Sequence, residues 1–281
     1  MSGRARIAGV IGWPVAHSLS PRLHGYWLCQ HGIDGAYVPL PVRPAETAAA
    51  FAGLAALGFA GANVTVPHKE AALAAVWRAT ETARRIGAVN TLIVNSDGRL
   101  EGDNTDAFGF LAHLRASQPA WEPTAGPALV LGAGGAARAV VAALAAEGVP
   151  EVRIANRGAD RAERLAAASG DGVHPVSWTA REAALADVSL VVNCTTLGMR
   201  GQPPLELSLA RLPDRAVVYD IVYTPLETPL LAAARRRGLA VVDGLGMLLH
   251  QARPGFAAWF GILPEVTPDL RAHVLAGLSP P

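Results

Sequence analysis

Residues 128–138 read ALVLGAGGAAR and determine the fold of the second half of the chain. The apolar residues 128–131 predict a buried strand, the glycines that follow predict a tight turn, and residues 136–146 predict a helix. A glycine turn between a strand and a helix N-terminus lets a pyrophosphate approach free backbone N–H groups. The pattern predicts the first βαβ unit of a dinucleotide-binding domain, although an ordinary strand–helix turn can carry the same short motif.

The strand that follows indicates which dinucleotide the domain binds. Residues 151–155 predict this strand, which leads into Asn156 and Arg157, with Arg161 one helical turn further along. An NAD site usually carries an acidic residue there, whereas the planar guanidinium of arginine matches the oxygens of a 2′-phosphate. We therefore predict NADP as the cofactor, with solvated loop arginines as the alternative interpretation. Asp160 is predicted to cap the next helix.

Length and charge exclude several classes of protein. A chain of 281 residues is long enough for two domains, each with its own core. The formal net charge is +1, so neither a nucleic acid nor an anionic membrane is predicted as a partner. The two cysteines, Cys29 and Cys194, cannot form a disulfide framework, and the cytoplasm is the predicted compartment. No apolar run is long enough to span a bilayer.

Hydrophobic periodicity and turn residues give the order of elements along the chain. Strands are predicted at residues 7–11, 36–42, 62–66, 88–94, 99–102, 128–131, 151–155, 189–193, 216–220 and 240–242. Helices are predicted at residues 20–31, 45–57, 70–76, 80–86, 106–114, 136–146, 246–261 (interrupted near Pro254) and 268–278. Pro39 and Pro41 place their strand at a sheet edge. The alternation after residue 128 predicts a doubly wound α/β domain whose parallel sheet is covered on both faces.

Polar residues follow several of these strands, where ligands of open α/β sheets collect. Lys69 leaves the third strand, Asn90 lies at a strand start, and Asp106 lies at a strand–helix junction. Alone, Lys69 could equally be a solvated surface lysine and Asp106 a plain helix cap. Ser20 is predicted to cap the helix that begins at Pro21, and His68 receives no chemical role.

The motifs occur together, in one order, over nearly the whole chain, and in this the chain resembles the shikimate dehydrogenase family. The segments that carry the resemblance are SLSP at 18–21, NVTVPHK at 63–69, GAVNT at 87–91, NTD at 104–106, GAGGAAR at 132–138, NR at 156–157, NCTTLG at 193–198, DIVY at 220–223 and DGLGMLLHQ at 243–251.

The resemblance implies two domains and one reaction. Residues 1–116 with 247–281 would form an α/β substrate domain, and residues 117–246 a Rossmann-type NADP-binding domain. The composition of residues 117–127, rich in proline and polar residues, separately predicts a linker there. The reaction would be the reversible, NADP-dependent reduction of 3-dehydroshikimate to shikimate in the synthesis of chorismate and the aromatic amino acids. A relative acting on quinate or an aminoshikimate-like compound, and a non-catalytic NADP-binding regulator, stay open as alternatives. A homodimer is one possible assembly.

Site residues carry over by position in the motifs. The resemblance implies Lys69 and Asp106 as the catalytic pair. The residues implied to bind substrate are Ser18, Ser20, Thr65, Asn90, Tyr223 and Gln251. The residues implied to bind cofactor are Gly132, Gly134, Gly135, Ala136, Asn156, Arg157, Arg161, Thr195, Ile221, Gly244 and Gly246. No group of side chains has the spacing of metal ligands, and no metal is expected.

The expected roles of Lys69 and of the two serines follow from the charges of the reacting groups. Hydride addition to a ketone places negative charge on its oxygen, which a protonated Lys69 would stabilise and protonate. Ser18 and Ser20 flank Leu19, so in an extended segment both hydroxyls would face one side and could bind a carboxylate. Quinate carries an extra hydroxyl on the carbon that bears its carboxylate, so we expect a preference for shikimate.

Overall fold

The computed structural model describes residues 1–278, which form two compact units. One unit joins Met1–Thr105 to the chain from Gln251 onward, and the other comprises Asp106–His250. Each unit is built around its own six-stranded sheet.

The first unit contains a mixed sheet with helices packed against it. Its elements are β1 (Arg6–Gly12), α1 (Ser20–Gln30), β2 (Gly35–Pro41), α2 (Thr47–Ala56), β3 (Phe59–Val64), α3 (Lys69–Ala75), β4 (Arg78–Ala79), α4 (Glu81–Ile86), β5 (Thr91–Val94) and β6 (Leu100–Asp103). The strand order is β2-β1-β3-β5-β6-β4. β1, β2 and β3 are parallel, whereas β5 runs antiparallel to both β3 and β6. β5 and β6 thus pair as antiparallel neighbours, and the predicted edge position of the proline-containing strand β2 is confirmed.

The second unit is a parallel sheet between two layers of helices. Its elements are α5 (Asp106–Ser117), β7 (Ala128–Leu131), α6 (Gly135–Ala146), β8 (Val152–Asn156), α7 (Ala159–Ser169), β9 (Val173–Ser177), β10 (Leu190–Asn193), β11 (Val217–Asp220), α8 (Pro229–Arg236) and β12 (Ala240–Val242), followed by the start of α9 (Gly244–Phe260). The strand order β12-β11-β10-β7-β8-β9 has every neighbouring pair parallel. Separate apolar clusters fill its two faces, which confirms the doubly wound α/β prediction.

The compact units divide the chain at different points from the predicted domains. α5 lies in the second unit, although the sequence placed it at the end of the first domain. Phe110 and Leu114 of α5 are fully buried in the cluster that includes Val140 and Leu144 of α6. Burial of this apolar helix face, rather than the polar linker that follows it, determines where the unit begins.

The last two helices complete the first unit. α9 passes from the second unit into the first, and α10 (Pro268–Leu275) packs against α1. The indole N–H of Trp259 on α9 donates to the Leu92 carbonyl over 2.9 Å. A Cβ at Gly61 would lie 2.1 Å from that same carbonyl oxygen, so only glycine lets helix and sheet approach so closely.

Four local predictions are corrected by the structure. α1 begins at Ser20 with Leu19 as its N-cap residue, and no side chain caps it. Gly158, not Asp160, is the N-cap residue of α7. α9 continues through Pro254 without a break, because the buried Phe256 and Trp259 beyond the proline anchor the rest of the helix. The edge strand β9 is absent from the prediction, since HPVS carries no clear alternation.

Candidate active site

Lys69 is the first residue of α3, directly after the turn that follows β3. The turn is held from both sides: the Thr65 N–H donates to the Ile11 carbonyl, and the His68 N–H donates to the Thr65 carbonyl. The Lys69 carbonyl itself accepts a hydrogen bond from the Val89 N–H over 3.0 Å. Lys69 is half-buried rather than fully solvated, which argues against an ordinary surface lysine.

The residue before Lys69 is a buried anchor. One ring nitrogen of His68 lies 2.8 Å from the Thr47 hydroxyl, and the other lies 2.8 Å from the Val42 carbonyl oxygen. His68 is only 2% exposed. It therefore ties the start of α3 to Val42 after β2 and to Thr47 at the start of α2, which is a structural role.

The amino-acid composition singles out Lys69 in a further way. It is the only lysine in the sequence, and every other basic residue among the 24 lysines and arginines is an arginine. An ammonium is a compact charge that can lose its proton, whereas a guanidinium stays charged in proteins. Among the lysines and arginines of the sequence, only Lys69 therefore has a side chain that can exchange its proton.

Asn90 lies at the centre of a buried polar network in the first unit. Its Oδ1 accepts hydrogen bonds from the Thr105 backbone N–H (2.9 Å) and from the Thr91 hydroxyl (2.9 Å). These donors fix the orientation of the carboxamide, because a backbone N–H can only donate. Its Nδ2 donates to the Thr105 hydroxyl (3.1 Å) and to Oε1 of Gln251 (3.4 Å). The structure thus brings together two predicted substrate residues from distant parts of the sequence.

Thr65 and Asp106 are two further residues of the predicted site. A Cβ at Gly12 would lie 2.4 Å from the Thr65 methyl carbon, so glycine at the end of β1 is required for Thr65 to pack there. Asp106 directly follows Thr105, opens α5 and is only 6% exposed. Asp106 thus presents a buried carboxyl at the start of the helix, where the alternative interpretation placed a plain helix cap.

The backbone between Ser18 and Ser20 differs from the extended conformation that the sequence predicted. The segment is not extended, because Leu19 between them has helical backbone angles. Instead, the Ser18 hydroxyl accepts a hydrogen bond from the Ser20 N–H over 3.3 Å. Ser20 is buried and does not cap the helix, which leaves its hydroxyl available for other contacts.

The glycine turn of the second unit has the shape that a pyrophosphate requires. Gly132 has φ +108, and a Cβ there would lie 3.1 Å from the Cys194 carbonyl. Around Gly134 a Cβ would meet nothing within 4 Å, so the turn is open on that side. α6 starts at Gly135 without a side-chain cap, and the N–H groups of Gly135 and Ala136 face no capping side chain. These residues fit a dinucleotide phosphate at a helix N-terminus.

Asn156, Arg157 and Arg161 surround the start of α7. Asn156 ends β8, and its Nδ2 donates to the Gly158 carbonyl over 2.8 Å, which fixes the turn that carries Arg157. Both arginines are exposed. Charged, exposed guanidinium groups at the end of the second strand of the βαβ unit fit a 2′-phosphate.

Thr195 is held by a buried network between two strand ends. Its N–H and its hydroxyl both donate to Oδ1 of Asn193, over 3.0 and 2.7 Å. Nδ2 of Asn193 donates to Oδ1 of Asp220 over 2.9 Å. Burial raises the pKa of the Asp220 carboxyl to about 6, against the opposing effect of its hydrogen bonds from Thr228, Val222 and Asn193. This network fixes the loop after β10, and the loop carries Thr195.

The remaining predicted residues lie after β11 and β12. A Cβ at Gly244 would lie 2.1 Å from the Ile221 carbonyl oxygen, and one at Gly246 would lie 2.0 Å from the His113 ring. Close packing inside the second unit is therefore sufficient to require glycine at both positions, Gly244 and Gly246. Tyr223 belongs to the second unit and is half-buried, and burial raises its pKa.

Residues 1–278 contain no group of three or more His, Cys, Asp or Glu side chains that could hold a metal ion. Within the same residues, no helix has the length and hydropathy needed to cross a membrane.

Three residues of the network were assigned no role from the sequence. Asn63, Thr91 and Thr105 all lie inside quoted motifs, yet nothing in their spacing separates them from ordinary polar residues. All three are buried, and Asn63 donates to the Asn90 carbonyl and accepts from the Tyr37 hydroxyl. The one signal that the sequence offered was the recurrence of polar residues in consecutive motifs, and the structure shows that these residues are buried.

Comparison with protein families gives two matches. Residues 10–92 match the family described as shikimate dehydrogenase substrate binding domain. Residues 120–198 match the family described as shikimate / quinate 5-dehydrogenase.

Similar proteins and solved structures cover almost the whole chain. A shikimate dehydrogenase (NADP(+)) of Paramagnetospirillum magneticum is 62% identical over 98% of this chain and 100% of its own length. Its counterpart in Rhodospirillum rubrum is 61% identical over 98% and 99%. The Thermus thermophilus shikimate 5-dehydrogenase, solved with NADP(H) and shikimate, has TM-score 0.86 and 39% identity over 97% of this chain and 99% of its own. A Corynebacterium glutamicum quinate dehydrogenase, solved with NAD, has TM-score 0.90 and 30% identity over 97% and 99%.

Proposed function

The chain belongs to the shikimate dehydrogenase family, and we propose that it catalyses the reversible, NADP-dependent reduction of 3-dehydroshikimate to shikimate. The observation that carries the proposal is the buried carboxamide and hydroxyl network around Asn90, in the same unit as the sole lysine of the chain. Such a network suits a ring with several hydroxyl groups, since carboxamides and hydroxyls both donate and accept hydrogen bonds.

Lys69 is the proposed general acid. When bound by the second unit, NADPH would supply the hydride for the ketone carbon of 3-dehydroshikimate. The Lys69 ammonium stabilises the negative charge that develops on the ketone oxygen and then donates a proton to it. In the oxidation of shikimate the neutral amine takes that proton back, so the same nitrogen acts as the base.

Asp106 is the proposed second catalytic residue, and its replacement gives a testable result. We expect Asp106→Asn to lower kcat about fivefold, the difference between a charge-assisted and a neutral hydrogen bond. The pH profile of shikimate oxidation should also shift, because the variant loses a negative charge that favours a protonated lysine. Steady-state kinetics from pH 6 to 10 test this, with Asp97→Asn as an exposed control. An unchanged profile at full activity would make Asp106 a simple helix residue.

Six residues are proposed to bind the substrate. Ser18 and Ser20 are proposed to bind the carboxylate, and Thr65, Asn90 and Gln251 are proposed to bind the ring hydroxyls. Tyr223 is proposed as a further substrate contact. Their polar groups bind and orient the ring, so that most of the binding free energy is independent of the catalytic lysine.

Cofactor binding is assigned to the second unit. The residues proposed to contact NADP are Gly132, Gly134, Gly135, Ala136, Asn156, Arg157, Arg161, Thr195, Ile221, Gly244 and Gly246. The open helix N-terminus suits the pyrophosphate, and the exposed arginines suit the 2′-phosphate, which supports NADP over NAD.

Substrate choice is tested by comparing shikimate and quinate in a spectrophotometric assay of NADP reduction. We expect kcat/KM for shikimate to exceed that for quinate by more than about tenfold, because the extra hydroxyl of quinate needs room beside the serines. Ser18→Ala should lower kcat/KM for shikimate about fivefold, the scale of one hydrogen bond. Ser208→Ala, an exposed serine of the second unit, is the matched control. Similar kcat/KM values for the two substrates would contradict the assignment.

The same assay separates the other candidate functions. Faster reduction of NADP with quinate would indicate a quinate-using relative, for which the Corynebacterium glutamicum neighbour is a precedent. Absence of turnover with both substrates, together with tight NADP binding, would indicate a regulator. The cytoplasm as compartment and a homodimeric assembly stay predictions from the sequence.

A further inference from the structure

Tyr37 is a buried tyrosine of the first unit. It lies on β2 and is 7% exposed. The His24 ring stacks on it with centroids 3.9 Å apart and planes within 5°, and the Trp259 ring lies 5.9 Å away. Burial raises the pKa of Tyr37 well above its ordinary value, so the hydroxyl keeps its proton at neutral and moderately alkaline pH.

The Tyr37 hydroxyl is hydrogen-bonded to a polar side chain of another strand. It donates to Oδ1 of Asn63, on β3, over 2.6 Å. One buried hydroxyl thus joins β2 to β3.

The hydrogen bonds continue from Asn63 to Asn90 with a defined direction. Nδ2 of Asn63 lies 3.2 Å from the Asn90 carbonyl oxygen and 3.3 Å from the Thr91 hydroxyl oxygen. A carbonyl can only accept, so Nδ2 must face it and Oδ1 must face Tyr37. The Thr91 hydroxyl then donates to Oδ1 of Asn90 over 2.9 Å.

We propose that Tyr37 is a positioning residue for the substrate: through Asn63 and Thr91 it fixes the carboxamide of Asn90. This inference rests on the proposed function, since it takes Asn90 as a substrate-binding group. Tyr37 itself has no contact with substrate in this role. Its effect is to hold the Asn90 carboxamide in the orientation that the substrate ring requires.

Tyr37→Phe tests the role because it removes one oxygen and retains the stacked ring. We expect KM for shikimate to rise about fivefold, the scale of one lost hydrogen bond, while kcat changes less than about twofold. KM for NADP should stay constant, because the residues proposed to bind NADP lie in the other unit. Tyr26→Phe is the matched control: this half-buried tyrosine on α1 contacts the His273 ring and lies outside the network.

A double-mutant cycle separates positioning from general stability. Asn63→Ala removes the next link, and the combination with Tyr37→Phe should raise KM no further than the larger single effect. If Tyr37→Phe fails to fold, the KM of Asn63→Ala alone decides the question. An unchanged KM for shikimate, or effects of the two changes that simply add, would overturn the proposal. Absence of shikimate-dependent NADP reduction in the unaltered protein would instead contradict the proposed function.

Discussion

Lys69→Ala is expected to lower kcat for shikimate oxidation by about a hundredfold or more, the usual contribution of a general acid or base. KM for shikimate should change much less, because several other polar groups are proposed to bind the ring. Initial rates of NADP reduction at saturating shikimate and NADP measure the effect directly. A near-normal kcat in this variant would remove Lys69 from the mechanism.

The loss of kcat is expected because the substitution removes the amine of Lys69 and leaves the backbone contacts around it in place. Lys69 begins a helix whose start is fixed by His68, and its own carbonyl is hydrogen-bonded by Val89. The backbone is therefore held in place, and Ala at this position removes the amine without removing those contacts. The loss should appear in the chemical step rather than in folding.

Lys69→Arg is the sharper control, because it keeps the positive charge and removes the ability to exchange a proton. We expect this variant to stay far below normal kcat, since a guanidinium is not deprotonated in proteins. The sole lysine also allows a chemical test: an amine-directed reagent can react only with Lys69 and the α-amino group. Saturating shikimate should slow inactivation by such a reagent, and failure to do so would argue against Lys69 in the substrate site.

Arg157→Ala is expected to lower the preference for NADP over NAD by about tenfold or more. A charge-assisted hydrogen bond to a phosphate contributes about 1.5–3 kcal/mol, and the variant forfeits it only for the cofactor that carries the 2′-phosphate. KM for NADP should rise, whereas the weaker use of NAD should hardly change. The ratio of kcat/KM values for the two cofactors, measured with shikimate saturating, is the relevant quantity.

Arg164→Ala provides the matched control for this prediction. Arg164 is an exposed arginine of the same helix, α7, and is not among the residues proposed to contact NADP. Its replacement removes the same charge from the same region, so a non-specific electrostatic effect would appear in both variants. An equal loss with NAD and NADP in Arg157→Ala would mean that the arginine is structural.

The sequence determined the features that depend on a few neighbouring residues. β7 and the helix after it lie within one residue of their predicted bounds, because a buried apolar run, a glycine at φ +108 and an alanine-rich helix follow one another directly. The edge position of β2 followed from prolines that cannot donate to a neighbouring strand. The order of the motifs was likewise sufficient to indicate the family.

Tertiary structure decided the features that depend on packing between distant segments. Gln251 and Asn90 are separated by 161 positions and meet only because α9 returns to the first unit. The proline inside α9 stops a helix by local rules, yet buried aromatic residues beyond it keep the helix continuous. Tyr37, Asn63 and Thr91 form one hydrogen-bonded series although each has an unremarkable sequence environment. Hydrogen-bond partners of buried groups are set by which elements pack together, and no local pattern records that.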